Sequence, residues 1–185
     1  KQQGGRFRPY RQELRFGIRG GEYAELSLQA ANQEAILLHG VIDRIDRDAN
    51  GLMRVIDYKS GSTRYTEKDT TQGLAFQAPL YALAAEQAVR SQVSESYYLH
   101  LPIREASGRL TFEQGAAQDE RVQAAVDKAI EFARRIRDGD FPSLPAKATY
   151  GGNSCAKNCA FGVLCRVDRH TRLKASRPAR PEAAL

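Results

Sequence analysis

The chain has 185 residues, a hydrophobic content of 42% and a formal net charge of +6 at pH 7. That length and apolar content are sufficient for one domain with its own core, and the basic charge favours a polyanionic partner such as nucleic acid. A run of about 18 apolar residues and a secretion leader are both missing, which argues against a membrane partner. We therefore expect a cytoplasmic protein.

The first elements predicted along the chain are strands. Residues 12–19 alternate between apolar and polar side chains, and a second alternating stretch follows the turn at Gly20-Gly21. The apolar positions of the two stretches are Leu14, Phe16, Ile18, Ala24, Leu26 and Leu28. The amino-terminal half is therefore predicted to form an antiparallel sheet.

A β-hairpin is predicted next. Residues 35–47 and 52–60 are rich in Ile, Leu and Val, and between them stands Asp48-Ala49-Asn50-Gly51, in which Asn and Gly tolerate positive φ. Folding the chain about this turn gives partners whose residue numbers add to 99 or 100. Asp57 then lies opposite Ile42 or Asp43.

The second alternative would place two carboxylates on one face of the hairpin. Side chains alternate with period two, so Lys59 shares the face of Asp57, and Asp43 joins them if it is the partner of Asp57. Like charges directly opposite each other are destabilising, and a divalent cation held by oxygen ligands would compensate them. The alternative is a pair of solvated surface aspartates beside a lysine.

Two helices and two further strands are predicted in the second half. Residues 73–90 are rich in Ala and Leu and are predicted to form a helix with Leu80, Leu83 and Ala84 buried. Pro79 requires either a kink in this helix or a helix start close to it. Gln77 and Tyr81 stand four residues apart and share a face of it. The remaining predictions are strands at 94–103 and 109–113 with a turn at 106–108, a helix at 119–138 ended by residues 139–142, and an irregular region from residue 145 onward.

Three cysteines, Cys155, Cys159 and Cys165, are clustered near the carboxyl end. An odd and clustered set suits metal or cluster ligation better than a disulfide framework. With His170 these cysteines also offer a Cys₃His set for structural zinc. We predict three regions: a core domain at 1–150, a cysteine-rich segment at 151–170 packed on the core, and a basic mobile tail at 171–185.

Three motifs together resemble the RecB-type branch of the PD-(D/E)XK nuclease superfamily. They are the strand ending Gly-Val-Ile-Asp43, the sequence Val-Ile-Asp57-Tyr-Lys59, and the helix with Gln77-Ala-Pro-Leu-Tyr81. The segment from Pro9 to Phe16 is similar to the strand that precedes these motifs in the family. The resemblance implies a restriction-endonuclease-like α/β (α+β) fold, with a mixed, mainly antiparallel central sheet flanked by helices.

The resemblance also implies roles for these residues in phosphodiester hydrolysis. Asp43 and Asp57 would bind Mg²⁺ or Mn²⁺, with the Tyr58 backbone carbonyl completing the shell, and Lys59 would orient the attacking water. Gln77 and Tyr81 would support the lysine or position the DNA backbone. Further phosphate contacts are predicted for Arg44, Arg64 and Arg166.

The cysteine pattern resembles that of AddB-type helicase-nuclease subunits, in which three late cysteines and one early cysteine hold a [4Fe–4S] cluster. Here the first cysteine spacing is three residues rather than two, a fourth cysteine is missing, and no helix bearing the family's histidine precedes the first strand. We therefore expect an amino-terminally truncated fragment, itself weakly active or inactive. The predicted function is a metal-dependent DNA exonuclease domain of a helicase-nuclease in double-strand-break repair, with a helicase as its partner. The alternative is a non-cleaving DNA- or RNA-binding module with a Cys₃His zinc site.

Overall fold

A computed structural model describes residues 7–29 and 35–140. The chain divides into two units, residues 1–135 and 136–185, and the fold described below is that of the first. The strands are β1 (Arg8–Phe16), β2 (Leu26–Leu28), β3 (Ile36–Leu38), β4 (Gly40–Arg47), β5 (Met53–Lys59), β6 (Val93–His100) and β7 (Glu105–Thr111). The helices are α1 (Glu67–Thr71), α2 (Gln77–Val89) and α3 (Glu120–Arg137), with a short 3₁₀ helix at Ala116–Gln118.

Five strands form the main sheet, in the order β1-β4-β5-β6-β7. Neighbours in this sheet are antiparallel except β5 and β6, which run parallel and are connected through α1 and α2. β2 and β3 pair separately as a two-stranded antiparallel sheet. The prediction of a mixed, mainly antiparallel sheet flanked by helices is confirmed. The strands of the amino-terminal half pair antiparallel, as predicted, although they are divided between two sheets.

The predicted hairpin is formed by β4 and β5. The Asp48 carboxylate accepts hydrogen bonds from the backbone N–H groups of Asn50 and Leu52, both at 2.9 Å, and Gly51 adopts a φ of 88° that favours glycine. Paired residues run from Arg44 opposite Ile56 to Arg47 opposite Met53, so the numbers of partners add to 100. This is the register that Asp43 needs to face Asp57.

The structure corrects the predicted extent of the early strands. The stretch 35–47 is two strands separated at His39, because β3 pairs with β2 while β4 pairs with β1. Gly40, at the start of β4, lies so close to the ring of Phe16 that an added Cβ would meet it at 3.0 Å. β1 itself ends at Phe16, because Gly17 turns the chain with a φ of 63°, and Ile18 is therefore outside the strand.

The turn between the last two strands was predicted at the wrong place. It lies at residues 101–104, with Arg104 at a φ of 54°, and residues 106–108 belong to β7. Gly108 serves a different purpose from a turn: an added Cβ would come within 2.8 Å of the Tyr98 ring. The glycine therefore allows β7 to approach a large buried side chain.

Helix α2 lies against the sheet through small side chains. Its buried residues are Ala78, Pro79, Ala82, Ala84 and Ala85, so Ala84 of the predicted stripe is buried, while Leu80 and Leu83 are only partly buried. Pro79 is the third residue of the helix, where it tolerates the lack of an N–H. The predicted alternative of a helix start close to Pro79 is thus confirmed.

The carboxyl end of α2 is tied to two other elements by one side chain. The Glu86 carboxylate accepts hydrogen bonds from the backbone N–H groups of Val93, Ala116 and Ala117, at 2.8, 2.8 and 3.0 Å. Val93 begins β6, and the two alanines begin the 3₁₀ helix that precedes α3. Three donors without helix or sheet partners are thereby satisfied, because a carboxylate accepts several hydrogen bonds.

Helix α3 was predicted at 119–138 and is found at Glu120–Arg137. Val122, Val126 and Ile130 form its buried stripe at helical spacing, while Ile136 is exposed. Together with apolar residues of the sheet such as Ile45 and Leu110, this stripe belongs to one hydrophobic core. The predicted helix is therefore confirmed, with a narrower buried face.

Candidate active site

The parallel pairing of β5 with β6 determines which side chains surround the predicted site. Asp57 pairs with Tyr98, and Lys59 pairs with His100, the last residue of each strand. Because parallel strands end at the same edge of a sheet, the end of β6 lies beside Asp57 and Lys59. The site thus lies at the carboxyl ends of two neighbouring strands.

Asp57 is a buried carboxylate, with 3% of its surface exposed. The Lys59 ammonium lies 2.6 Å from its Oδ2 as an ion pair, and no further hydrogen bond to this oxygen is formed among the described residues. Burial raises the pKa of Asp57, the Lys59 charge lowers it, and the nearby negative charge of Asp43 raises it further. The net shift of the pKa is upward, so the folded protein disfavours the ionised form of Asp57.

Asp43 approaches Asp57 from the adjacent strand. One step beyond the last residues paired in the hairpin, Arg44 and Ile56, the same register places Asp43 opposite Asp57. Asp43 Oδ2 accepts a hydrogen bond from the Tyr58 backbone N–H at 2.7 Å. Of the two partners that the sequence allowed for Asp57, the structure therefore selects Asp43.

Lys59 connects the strand pair to helix α2. Besides its ion pair with Asp57, its ammonium donates a hydrogen bond to Gln77 Oε1 and lies 5.1 Å from the centre of the Tyr98 ring. A cation over an aromatic face is attracted by the ring quadrupole, and burial strengthens this attraction. The structure thus brings Gln77 to the site, as the sequence predicted.

Tyr81 takes a different place from Gln77, one turn further along α2. Its ring packs edge to face against Phe16, with the ring centres 6.1 Å apart, and it borders Gly40. Among the described residues it forms no hydrogen bond with Lys59 or with either aspartate. Tyr81 therefore anchors the helix above β1 and β4, and contact with a substrate stays a prediction.

Tyr98 is the residue at this site that the sequence did not indicate. It is 1% exposed, its hydroxyl oxygen accepts the Ala78 backbone N–H at 3.0 Å, and its ring lies beneath Lys59. The Ala78 N–H belongs to the first turn of α2, where backbone donors have no partner inside the helix. Burial raises the pKa of Tyr98, so the phenol stays protonated. Tyr98 thus fixes the start of the helix that carries Gln77.

His100 fixes the chain that follows Lys59. Its Nδ1 lies 2.8 Å from the Gly61 carbonyl oxygen and its Nε2 lies 2.7 Å from Ser107 Oγ. Because a carbonyl only accepts, Nδ1 carries the proton, and the Ser107 hydroxyl donates to Nε2 in the neutral ring. Ser107 Oγ also accepts the Tyr65 backbone N–H at 3.1 Å. The segment between Lys59 and α1 is therefore bound to β6 and β7.

Two of the arginines predicted to contact phosphate have partners within the protein. Arg44 forms two hydrogen bonds to the fully buried Asp46, at 2.6 and 3.1 Å, and a third to the Tyr58 hydroxyl at 3.2 Å. Arg64 is paired with Glu105 on β7, and both side chains are more than half exposed. Arg166, the three cysteines and the tail lie outside the described residues.

The donor set at the site suits a hard divalent cation. Asp43 and Asp57 offer carboxylate oxygens, Asp57 is buried, and such cations prefer oxygen ligands. Within residues 7–29 and 35–140 there is no cluster of three or more His, Cys, Asp or Glu side chains that could hold a metal ion. The two aspartates therefore need backbone, water or substrate oxygens to complete a coordination shell.

A cleft of about 690 Å³ lies elsewhere, beside the start of α3 and the end of β7. Its charged lining consists of Glu67, Glu113, Asp119, Glu120 and Arg121. Four carboxylates against one guanidinium make a poor surface for a phosphate backbone. The cleft contains none of the predicted site residues.

Comparison with known proteins gives one family and a set of relatives. The family model of the PD-(D/E)XK nuclease superfamily matches residues 1–166. An ATP-dependent helicase/deoxyribonuclease subunit of Moorella thermoacetica is 40% identical over 95 residues, which cover 50% of this chain and 8% of that protein. The proteins of the same name from Streptococcus pyogenes serotypes M3 and M1 are 27% and 26% identical, over 77% and 83% of this chain.

The chain spans only a small part of these relatives, since the two streptococcal alignments cover 13% and 14% of their lengths. In the part of the chain that the structure describes, no helix combines the length and the apolar character needed to cross a membrane.

Proposed function

Because the chain belongs to the PD-(D/E)XK nuclease superfamily, we propose that Asp43, Asp57 and Lys59 form the centre of a metal-dependent deoxyribonuclease. The observation that carries this proposal is the buried Asp57 carboxylate, which faces a second carboxylate, Asp43, and has the Lys59 ammonium as its ion-pair partner. Burying charge is costly, and two carboxylates beside one ammonium leave a net negative charge. A cation at this position would compensate it.

Asp43 and Asp57 would hold Mg²⁺ or Mn²⁺, together with the Tyr58 carbonyl oxygen. When bound, such an ion polarises a phosphoryl oxygen and makes a water more acidic. Asp43 is already oriented for this role by the Tyr58 N–H, and Asp57 by the Lys59 ammonium. The residues are therefore arranged before a ligand arrives, which lowers the cost of binding.

Lys59 would stabilise the negative charge that develops on the phosphate as the attacking water adds. An ammonium has three N–H donors, and the contacts to Asp57 and Gln77 occupy two of them at most. The remaining donor is available to a phosphate oxygen or to the attacking water. Gln77 acts as a positioning residue, because its amide oxygen fixes the direction of the ammonium.

For the protein as a whole, we propose an exonuclease domain of a helicase-nuclease that acts on DNA during double-strand-break repair. The names of the relatives and the order of the motifs support this proposal. A helicase subunit would be the partner. We propose further that residues 1–150 form the nuclease core. The predicted cysteine-rich segment at 151–170 and the predicted basic tail at 171–185 lie outside the described residues.

The three cysteines would supply three of the ligands of a [4Fe–4S] cluster. Purification without oxygen followed by iron, sulfide and zinc analysis tests this proposal. Iron and sulfide in equal amounts are expected in the longer parent protein, whereas the cluster is expected to be incomplete in this chain. One equivalent of zinc without iron would instead support the Cys₃His alternative with His170.

Cleavage of linear single-stranded DNA tests the nuclease proposal. With enzyme in excess over DNA, the unaltered chain should cut slowly in Mg²⁺ and not in chelator, in keeping with its expected weak activity, and Asp57→Ala should lower the rate to that in chelator. Asp127→Ala, on the exposed side of α3, is the matched control and should cut normally. Calorimetric titration with Mn²⁺ gives a second measurement, in which Asp57→Ala should weaken binding at least tenfold. Equal cleavage by the chain and by Asp57→Ala would contradict the proposal.

A further inference from the structure

The turn between β6 and β7 exposes apolar side chains at the edge of the candidate active site. Leu101 is 54% exposed and Ile103 is 36% exposed, with Pro102 between them. A single exposed apolar residue needs no explanation, but two in one four-residue turn beside a charged site do. The deoxyribonuclease mechanism proposed above assigns no role to this turn.

The turn is joined directly to the site. The Leu101 backbone N–H donates to the Lys59 carbonyl oxygen at 3.0 Å, which extends the pairing of β5 and β6 by one hydrogen bond. The turn therefore begins immediately beyond Lys59. A DNA strand whose phosphate contacts Lys59 must place a sugar and a base close to this turn, because both are covalently linked to that phosphate.

The turn is held firmly at both ends. His100, which precedes it, is 1% exposed and contacts Gly61 and Ser107 through its two ring nitrogens. Pro102 fixes its own φ, and Arg104 closes the turn in the left-handed region with a φ of 54°. The apolar side chains are thus presented to solvent by a rigid support rather than by a loose loop.

The charges around the turn favour a nucleic acid strand over an apolar protein surface. Lys59 precedes the turn, Arg104 is exposed within it, and Arg64 lies beside Glu105 at its far end. Cationic groups would contact the phosphates while the apolar side chains between them contact the bases, a combination that is typical of single-strand binding and of wedge side chains.

We propose that Leu101 and Ile103 contact the DNA bases next to the phosphate that is cut, and so select strands whose bases are unpaired. This inference rests on the proposed nuclease function. Paired bases are stacked inside the duplex and offer the turn no free faces, whereas single strands and frayed ends do.

Binding to a strand without bases tests this inference separately from the nuclease proposal. Fluorescence anisotropy would compare a labelled oligothymidylate with an abasic oligonucleotide of equal length, in Ca²⁺, which takes the same oxygen ligands. The variant Leu101→Ser/Ile103→Ser should weaken binding of oligothymidylate by about fivefold to tenfold and leave the abasic strand unaffected. Leu37→Ser, at an equally exposed leucine on β3, is the matched control and should change neither.

Each outcome has a distinct meaning. If the unaltered chain binds neither strand, the proposed function fails and this inference fails with it. If it binds oligothymidylate and the double variant binds just as tightly, only the inference is overturned, and the apolar turn serves another contact, such as one with a protein. An equal loss of affinity for oligothymidylate and for the abasic strand would also overturn the inference, because Leu101 and Ile103 would then contact the DNA backbone and not the bases.

Discussion

Asp57→Asn should make the metal-free protein more stable while it abolishes cleavage. In the native state a buried carboxylate faces a second carboxylate, and the net effect of burial, Lys59 and Asp43 is to raise its pKa. An asparagine at this position is neutral, can still accept from the Lys59 ammonium, and can donate its amide N–H toward Asp43. The substitution therefore removes a like-charge repulsion and the cost of burying a charge without leaving a cavity.

The magnitude follows from the repulsion between the two facing carboxylates. Cross-strand charge pairs contribute about 0.2–1 kcal/mol, so the free energy of unfolding of Asp57→Asn should rise by up to about 1 kcal/mol at pH 7. For a chain of this size that corresponds to a gain of roughly 2–4 °C in melting temperature per kcal/mol. Thermal unfolding in chelator, followed by circular dichroism, measures it.

The pH dependence has a definite sign. The pKa of Asp57 is raised in the folded state. Above this folded pKa the group is ionised, and its burial lowers the stability of the folded protein. Below the ordinary pKa of about 3.9 the group is protonated in both the folded and the unfolded protein, and this penalty is absent. The stability advantage of Asp57→Asn should therefore be largest near neutral pH and shrink as the pH falls. Taking the difference between the two proteins cancels the titration of the groups that do not interact with residue 57.

Added Mg²⁺ should make the unaltered protein more stable than Asp57→Asn. With about 10 mM Mg²⁺ and a dissociation constant near 1 mM, mass action stabilises the unaltered protein by about 1.4 kcal/mol, and Asp57→Asn should gain far less. The reasoning is refuted if Asp57→Asn is less stable than the unaltered protein in chelator at pH 7. It is equally refuted if the difference between the two grows on acidification.

Two further substitutions test the supports of the site. Tyr98→Phe leaves the Ala78 N–H without its acceptor and should lower the free energy of unfolding by about 1 kcal/mol while it reduces cleavage more than tenfold. Tyr97→Phe, at the neighbouring buried ring, should do neither. Asp46→Ala leaves the Arg44 guanidinium without its buried partner and should cost about 3 kcal/mol of stability in urea unfolding; a change below 1 kcal/mol would contradict this interpretation.

The hairpin and its aspartates could be predicted from the sequence because their geometry is local. The turn at residues 48–51 has the composition and spacing that determine a register, and once the register is known, Asp43 must face Asp57. Period two then places Lys59 beside Asp57. Only the exact partner of Asp57 was left open, since a tight turn allows two neighbouring registers.

Tyr98 and the turn after His100 could not be predicted in the same way. Tyr98 reaches the site only because β6 pairs in parallel with β5, across the connection that contains α1 and α2, and periodicity says nothing about that pairing. The segment at residues 106–108 has turn-like composition, but its glycine is required by the Tyr98 ring. Local signals thus indicated a turn where a long-range contact determines the residue.

Helix α2 is fixed at both ends, and this limits how the sequence can vary in length. Tyr98 accepts a hydrogen bond from its first turn, and Glu86, near its carboxyl end, accepts one from Val93. Gln77, at its start, accepts a hydrogen bond from Lys59 of β5. One inserted residue would rotate one end by about 100° and shift it by about 1.5 Å relative to the other. Either Gln77 or Glu86 would then lose its partners. Insertions and deletions should therefore be tolerated around α1, but not between residues 77 and 86.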